Sequence, residues 1–198
     1  MKKILLLAAA AMLAVAANAQ LMTSRTFFGK ESNTTWFMRA GMSVNNVANG
    51  GDGLESAIGF DVDFGFQKPI ASTAAYWGME LGIGTRGCGV EHIDETINTY
   101  GVKWSPLTFG YKWAVTDNIK IDPHFGAFLE YDFAKSDLAD NMDVNDFDAG
   151  IQIGAGVWFK RFNLDFTYQR GFCAVVDVPD GVDAPTSSNF MIRVGFAF

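Results

Sequence analysis

The chain has 198 residues, enough for one domain, with a formal charge of −7 and no basic cluster, which argues against nucleic acid as a partner. It is 49% hydrophobic and 14% aromatic with 21 glycines, yet after residue 19 it has no apolar run of the ~20 residues that a membrane-spanning helix needs. High apolar content dispersed in alternation among glycines fits strands that cross a membrane better than helices that do.

Residues 1–19 read as a cleaved signal peptide. Lys2 and Lys3 form a positive start, 4–17 is an apolar run too short for an anchor, and Ala17-Asn18-Ala19 gives the small-x-small cleavage pattern before Gln20. Gln20, not a cysteine, stands directly after the cleavage point, which argues against a lipoprotein, and losing the two lysines takes the charge from −7 to −9. Residues 20–34 are a short polar lead-in, and 35–198 are the barrel domain.

Successive side chains of a strand point to opposite faces, so a period of two marks each strand. The first expected strand, 35–44, sets Trp36, Met38, Ala40, Met42 and Val44 against Phe37, Arg39, Gly41 and Ser43. The second, 57–67, sets Ile58, Phe60, Val62, Phe64 and Phe66 against Gly59, Asp61, Asp63, Gly65 and Gln67. The third, 76–86, opposes Trp77, Met79, Leu81 and Ile83 to Gly78, Glu80, Gly82, Gly84 and Arg86. The fourth, 100–115, changes its apolar parity after Pro106, which predicts one long strand with a bulge there. The fifth is 119–133, the sixth 147–159, the seventh 162–169 and the eighth 190–198. The last alternates Phe190, Ile192, Val194, Phe196 and Phe198 with Met191, Arg193, Gly195 and Ala197.

The strand count is even, and connections alternate in length. Loops at 45–55, 87–96, 134–146 and 172–189 are long, whereas turns at 68–73, 116–118 and 160–161 are shorter. Charge is sorted too: Arg39, Asp61, Asp63, Glu80, Arg86, Lys103, Lys112, Lys120, Asp122, Glu130, Asp132, Asp148, Asp165 and Arg193 all fall on the mixed, glycine-rich face. A lipid-facing Lys or Arg at the bilayer midplane costs ~2–4 kcal/mol, so a lipid face is purged of charge. A water-soluble barrel would show the reverse. The expected fold is therefore all-β: an eight-stranded antiparallel up-and-down transmembrane β-barrel in the cell outer membrane, its wall in contact with lipid. Trp36, Trp77, Trp113, Phe159, Phe162 and Phe198 are expected to girdle the short-turn side, and Tyr100, Tyr131, Phe147, Tyr168 and Phe190 the long-loop side.

With these features the chain resembles the outer-membrane β-barrel domain family of Bacteroidota, the PorT-like group, which shares the architecture of the OmpA/OmpX-type eight-stranded barrel. The resemblance covers 35–198 and rests on the leader ending Ala17-Asn18-Ala19, the glycine-alternating segments at 77–84 and 148–156, and the terminal phenylalanine. It implies insertion by the barrel-assembly machinery, with Phe196 and Phe198 matching the aromatic insertion signal. Roles within the family include secretion and adhesion, and many members are structural.

The inward charges, with His124 among them, are expected to form a lumen network of ion pairs that plugs the barrel; the alternative is a conducting path for a small solute. A third reading is a lipid-modifying enzyme using His124 beside Asp122 with an inward serine, Ser43 or Ser105. His92 lies in a loop without ligand spacing. Asn141, Asp143 and Asn145 faintly resemble a calcium loop, but Asp146 stands at its glycine position and Gln152 at its terminal glutamate, so no metal site is assigned. Cys88 and Cys173 lie past the outer ends of two strands in an oxidising compartment; they form a loop disulfide or remain two free thiols. The expected function is non-enzymatic, structural or surface-interacting, with no cofactor and with the long loops offered to an extracellular partner.

Overall fold

The structure, a computed structural model, describes residues 34–49, 54–70, 73–90, 93–141, 144–176 and 184–198. The signal peptide, the lead-in up to residue 33, His92 and Asp143 lie outside the described residues.

Eight strands follow one another: β1 (Thr35–Ala48), β2 (Ala57–Pro69), β3 (Ala75–Val90), β4 (Ile93–Tyr111), β5 (Ile119–Lys135), β6 (Phe147–Phe159), β7 (Phe162–Ala174) and β8 (Thr186–Ala197). Each pairs antiparallel with the next, and β8 pairs back onto β1, from Phe37↔Ala197 to Ala48↔Thr186, so the sheet closes without an edge. Two-residue strands add to it: Leu54–Glu55 pairs with Val90 and Gly89, and Trp113–Ala114 continues β4 alongside β5. One short helix, α1 (Asp137–Asn141), sits in the β5–β6 connection, where the sequence suggested only a long loop. Ser136 Oγ accepts from Ala139 N at 3.4 Å, an N-cap, and Ala139 is fully buried.

The expected bulge is present. On β4, Trp104 faces Leu129 and Leu107 faces Ala127, so three steps on β4 match two on β5, with Pro106 in the extra span. The strand is not unbroken to residue 115, however. It stops at Tyr111 beside Pro123, which has no N–H to give, and Lys112 N turns to Ala74 O at 2.9 Å.

The two faces of the wall have inverted polarity. Outside, Met42, Ile58, Phe125, Ile153 and Val194 are each 60–71% exposed. Inside, Arg39, Asp63, Asp165, Thr167 and Arg193 are at most 1% exposed. In water this arrangement would leave a continuous aliphatic and aromatic wall unburied at ~25 cal/mol per Å² while enclosing charge. In a bilayer it is what the solvent demands, because the strands pair with one another around the whole ring and lipid meets the apolar face. No helix among the described residues is long and apolar enough to cross a membrane; the strands are the crossing elements.

Inward glycines make the room that the enclosed side chains fill. A Cβ on Gly82 would lie 2.2 Å from Asp63 Oδ1, and one on Gly195 2.8 Å from Arg39 Cγ. At Gly41 the obstacle is backbone: a Cβ there would come 1.9 Å from Ile192 O on the paired strand β8.

Candidate functional site: the barrel lumen

Three levels of side chains fill the lumen. The middle level centres on Arg193 of β8. Its guanidinium donates to Asp165 (Nη2–Oδ1, 2.6 Å; Nε–Oδ1, 3.1 Å), to Asp63 (Nη1–Oδ2, 2.5 Å), to Asp61 (Nη1–Oδ1, 3.2 Å) and to Thr167 Oγ1 (2.9 Å). Those acceptors come from β2 and β7, so one side chain ties three strands together. Arg39 of β1 donates to Glu80 Oε1 at 3.2 Å and Asn163 Oδ1 at 3.0 Å, and lies over the Phe37 ring, 4.3 Å from its centroid. Lys103 of β4 pairs with Asp61 and, at 3.5 Å, with Asp63, and donates to Met191 Sδ on β8 at 3.4 Å.

His124 belongs to this level. Its Nδ1 lies 3.1 Å from Asp122 O, and its Nε2 lies 3.2 Å from Thr167 Oγ1 and 3.6 Å from Asp165 Oδ2. Its Asp122 contact is thus to the backbone, and the carboxylate it meets is Asp165. Neither serine named for an enzymatic reading reaches it: Ser105 Oγ donates to Gln152 Oε1 at 3.4 Å, and Ser43 Oγ has no hydrogen-bond partner. A third inward serine, Ser187, is 1% exposed and bonds Asp148. Among the described residues, the serine–histidine pair that nucleophilic catalysis needs is not made.

The short-turn level is aromatic. The Asp122 carboxylate accepts from Tyr76 OH at 2.7 Å and Trp158 Nε1 at 2.8 Å. Lys112 Nζ sits 4.6 Å from the centroid of the Trp158 ring, which meets Phe37 edge-on at 6.4 Å. Lys120 does not join the network; it is exposed at this mouth and makes no ion pair among the described residues. It stands one residue from the turn, where water solvates an ammonium without help.

On the long-loop level Arg86 pairs with Asp132, lies 3.4 Å from Asp148 Oδ2, and donates to Asn145 O at 2.8 Å. Glu130 is buried beside them, opposite Lys103 on β4 and Asp148 on β6 in the strand register. Above this level the lumen turns apolar. Cys88, Ile97, Ala139 and Val144 form a small core under the loops. Cys88 belongs to that core on β3 and Cys173 stands on β7, four strands around the ring, and both are free thiols. Among the described residues no group of three acidic, histidine or cysteine side chains could hold a metal; Asn145 Oδ1 instead accepts from Phe147 N, and Asp146 pairs with Lys135 at 2.7 Å.

Sequence reasoning did not single out Tyr76, Trp158, Phe128 or Ser187 as inward residues. Parity could have found them: Trp158 and Phe128 share the alternation of Asp148 and Glu130, but large aromatics read as lipid-facing by type. Phe196 and Phe198 lie on the wall near the short turns, Phe196 edge-on to Phe162 at 5.4 Å and Phe198 stacked on Phe64 at 6.1 Å.

An edgeless eight-stranded ring with an apolar outside and a charged, filled inside defines an outer-membrane β-barrel. No family model matches the chain, and neither does any curated protein. Among solved structures it is similar to Ail, the attachment invasion locus protein of Yersinia pestis, in complex with the heparin analogue sucrose octasulfate. That match has 15% identity and a TM-score of 0.45, and covers 84% of this chain and 100% of that one. It is also similar to Neisserial surface protein A, at 16% identity and a TM-score of 0.45, over 84% of this chain and 98% of that one. The N-terminal β-barrel domain of OprF from Pseudomonas aeruginosa matches at 10% identity and a TM-score of 0.41, over 84% and 98%. At these identities the likeness concerns fold alone.

Proposed function

We propose that this chain is a non-enzymatic outer-membrane protein whose lumen is locked by ion pairs, so that its work is done by the wall and the long loops, as a structural element of the envelope or by contact with an extracellular partner. The observation that carries this reading is the Arg193 cluster, in which one guanidinium gathers Asp61, Asp63 and Asp165 from two other strands at the middle of the lumen. Arranged this way, charge serves cohesion: each ion of the cluster is held by more than one counter-charge. The finer kinship, to PorT-like barrels of Bacteroidota, belongs to this proposal and rests on the glycine-alternating segments 77–84 and 148–156. So does insertion by the barrel-assembly machinery through Phe196 and Phe198. The competing reading, passage of a small solute, is separated by reconstituting the refolded chain in a planar bilayer. The expected result is a silent membrane; steady single-channel current would overturn the plug in favour of transport.

A further inference from the structure

We propose that the long-loop end of this barrel binds a small, neutral, apolar molecule carrying one hydrogen-bond acceptor. A cavity of about 180 Å³ lies there, walled mainly by Val47, Leu54, Ile97, Val144, Val175 and Val176, with Arg86, Asn46, Thr99 and Ser187 contributing to the same wall. An aliphatic cavity of roughly 150 Å³ stays dry and takes up benzene, because water finds no partners inside and the lining atoms gain contacts when it is filled. Size and lining therefore set the ligand at about one aromatic ring or an equivalent short aliphatic chain.

The polar requirement comes from Arg86. The residue is 3% exposed, and its Nε has no hydrogen-bond partner. Its Nη2 is committed to Asp132 and to Asn145 O, and its Nη1 faces Asp148 Oδ2 at 3.4 Å. A buried donor left unmade is costly, and an acceptor oxygen on the ligand would satisfy it. The same contacts decide the charge. Asp132 and Asp148 already balance the guanidinium, so an anion gains no free positive charge and would sit near two carboxylates. A cation would face the guanidinium itself. A neutral molecule with a hydroxyl, carbonyl or ester oxygen fits both conditions. The cavity borders the long-loop connections, so the ligand enters from the side opposite the short turns.

The experiment uses the full barrel chain refolded in detergent micelles with ¹³C-labelled valine methyls, titrated separately with benzene, benzyl alcohol, benzoate and benzylammonium. The expected result is saturable shifts of the Val47, Val144, Val175 and Val176 methyls with benzyl alcohol and, more weakly, with benzene. Either ion should bind at least about tenfold more weakly than the alcohol. Val176→Phe fills the space and should abolish saturable binding by both neutral probes. Arg86→Lys keeps the charge but removes Nε, and should weaken benzyl alcohol toward the affinity of benzene. Heat-modifiable gel mobility establishes that each variant is folded, and the Val176→Phe comparison stands by itself if Arg86→Lys does not fold. The proposal is overturned by shifts that do not saturate, by shifts that survive Val176→Phe, which would be partition into the micelle, or by preference for either ion.

Discussion

Lys103 and Met191 meet in the middle of the barrel, Nζ to Sδ at 3.4 Å, although they stand on β4 and β8, four strands apart around the ring. In an eight-stranded barrel that separation is the full diameter, so the contact shows the lumen bridged from wall to wall. Around it, Asp61 and Asp63 hold the lysine from a third strand. Removing the bridge should open a path. Lys103→Ala combined with Met191→Ala is expected to turn a silent barrel into one with measurable current in a planar bilayer, cation-selective because Asp61 and Asp63 would then be in excess.

Arg193 should be the most costly lumen residue to lose. Truncating it leaves Asp61, Asp63 and Asp165 without their shared counter-ion in a space where water cannot replace it. Breaking a buried pair from one side costs about 3–5 kcal/mol, and Arg193→Ala is expected in that range. Arg161→Ala, at the exposed β6–β7 turn, should stay within about 0.5 kcal/mol. Reversible urea unfolding in lipid vesicles, followed by tryptophan fluorescence, reads both.

The architecture was legible because the bilayer imposes contrast. Where a strand crosses lipid, outward residues must be apolar and inward ones fill a polar lumen, so β2 and β6 were bounded to within two residues. Beyond the lipid the contrast lapses. β1 runs on to Ala48 through exposed Asn46, β7 to Ala174 rather than Gln169, and β8 starts at Thr186 rather than 190. Asn46, Thr186 and Ser188 on the outward parity there are polar, so hydropathy does not mark those extensions, and on β7 Phe172 stands alone as an apolar outward residue beyond Tyr168. Most charged lumen residues were legible by parity, but not Lys120, which stands exposed at the mouth, nor the inward Tyr76, Phe128 and Trp158, nor which residues pair with which. His124 next to Asp122 in sequence points to that carboxylate, whereas the pleat turns it toward Asp165 on β7.

Lipid contact makes its own prediction. Ile153 is 63% exposed midway along β6, and Trp113 is 66% exposed near the short-turn rim. Ile153→Arg should cost ~2–4 kcal/mol, whereas Trp113→Arg should cost ~0–1 kcal/mol from desolvation, because an arginine near the interface can reach headgroups. In a water-soluble barrel neither position would penalise charge, so equal, near-zero effects in the same vesicle assay would count against the membrane reading.

The two cysteines give a quick check on the ring order. Cys88 on β3 and Cys173 on β7 are on opposite walls and free. The folded chain should therefore react with two equivalents of a thiol reagent once denatured without reductant, and should migrate identically on gels with and without reductant. A shift on reduction would mean an intrachain disulfide, which needs Cα atoms within about 7 Å and so would count against the placement of β3 and β7 on opposite walls.

Gly87 should separate the cap from the barrel. Its φ of +147° is a conformation that side chains rarely adopt, and a Cβ there would lie 1.9 Å from Ile97 O on the paired strand. The obstacle is backbone, so the only relief is to part β3 from β4 at Gly87↔Asn98, next to Cys88 and Ile97 of the apolar core under the loops. Gly89→Ala is the control, because its Cβ would meet nothing closer than Glu55 Cβ at 3.4 Å, an ordinary contact. Gly87→Ala is expected to cost about 1–3 kcal/mol. It should also speed amide exchange at Cys88, Ile97 and Val144 while the amides around Arg193 keep their protection. Uniform loss of protection through the ring would mean that the cap and barrel unfold as one unit.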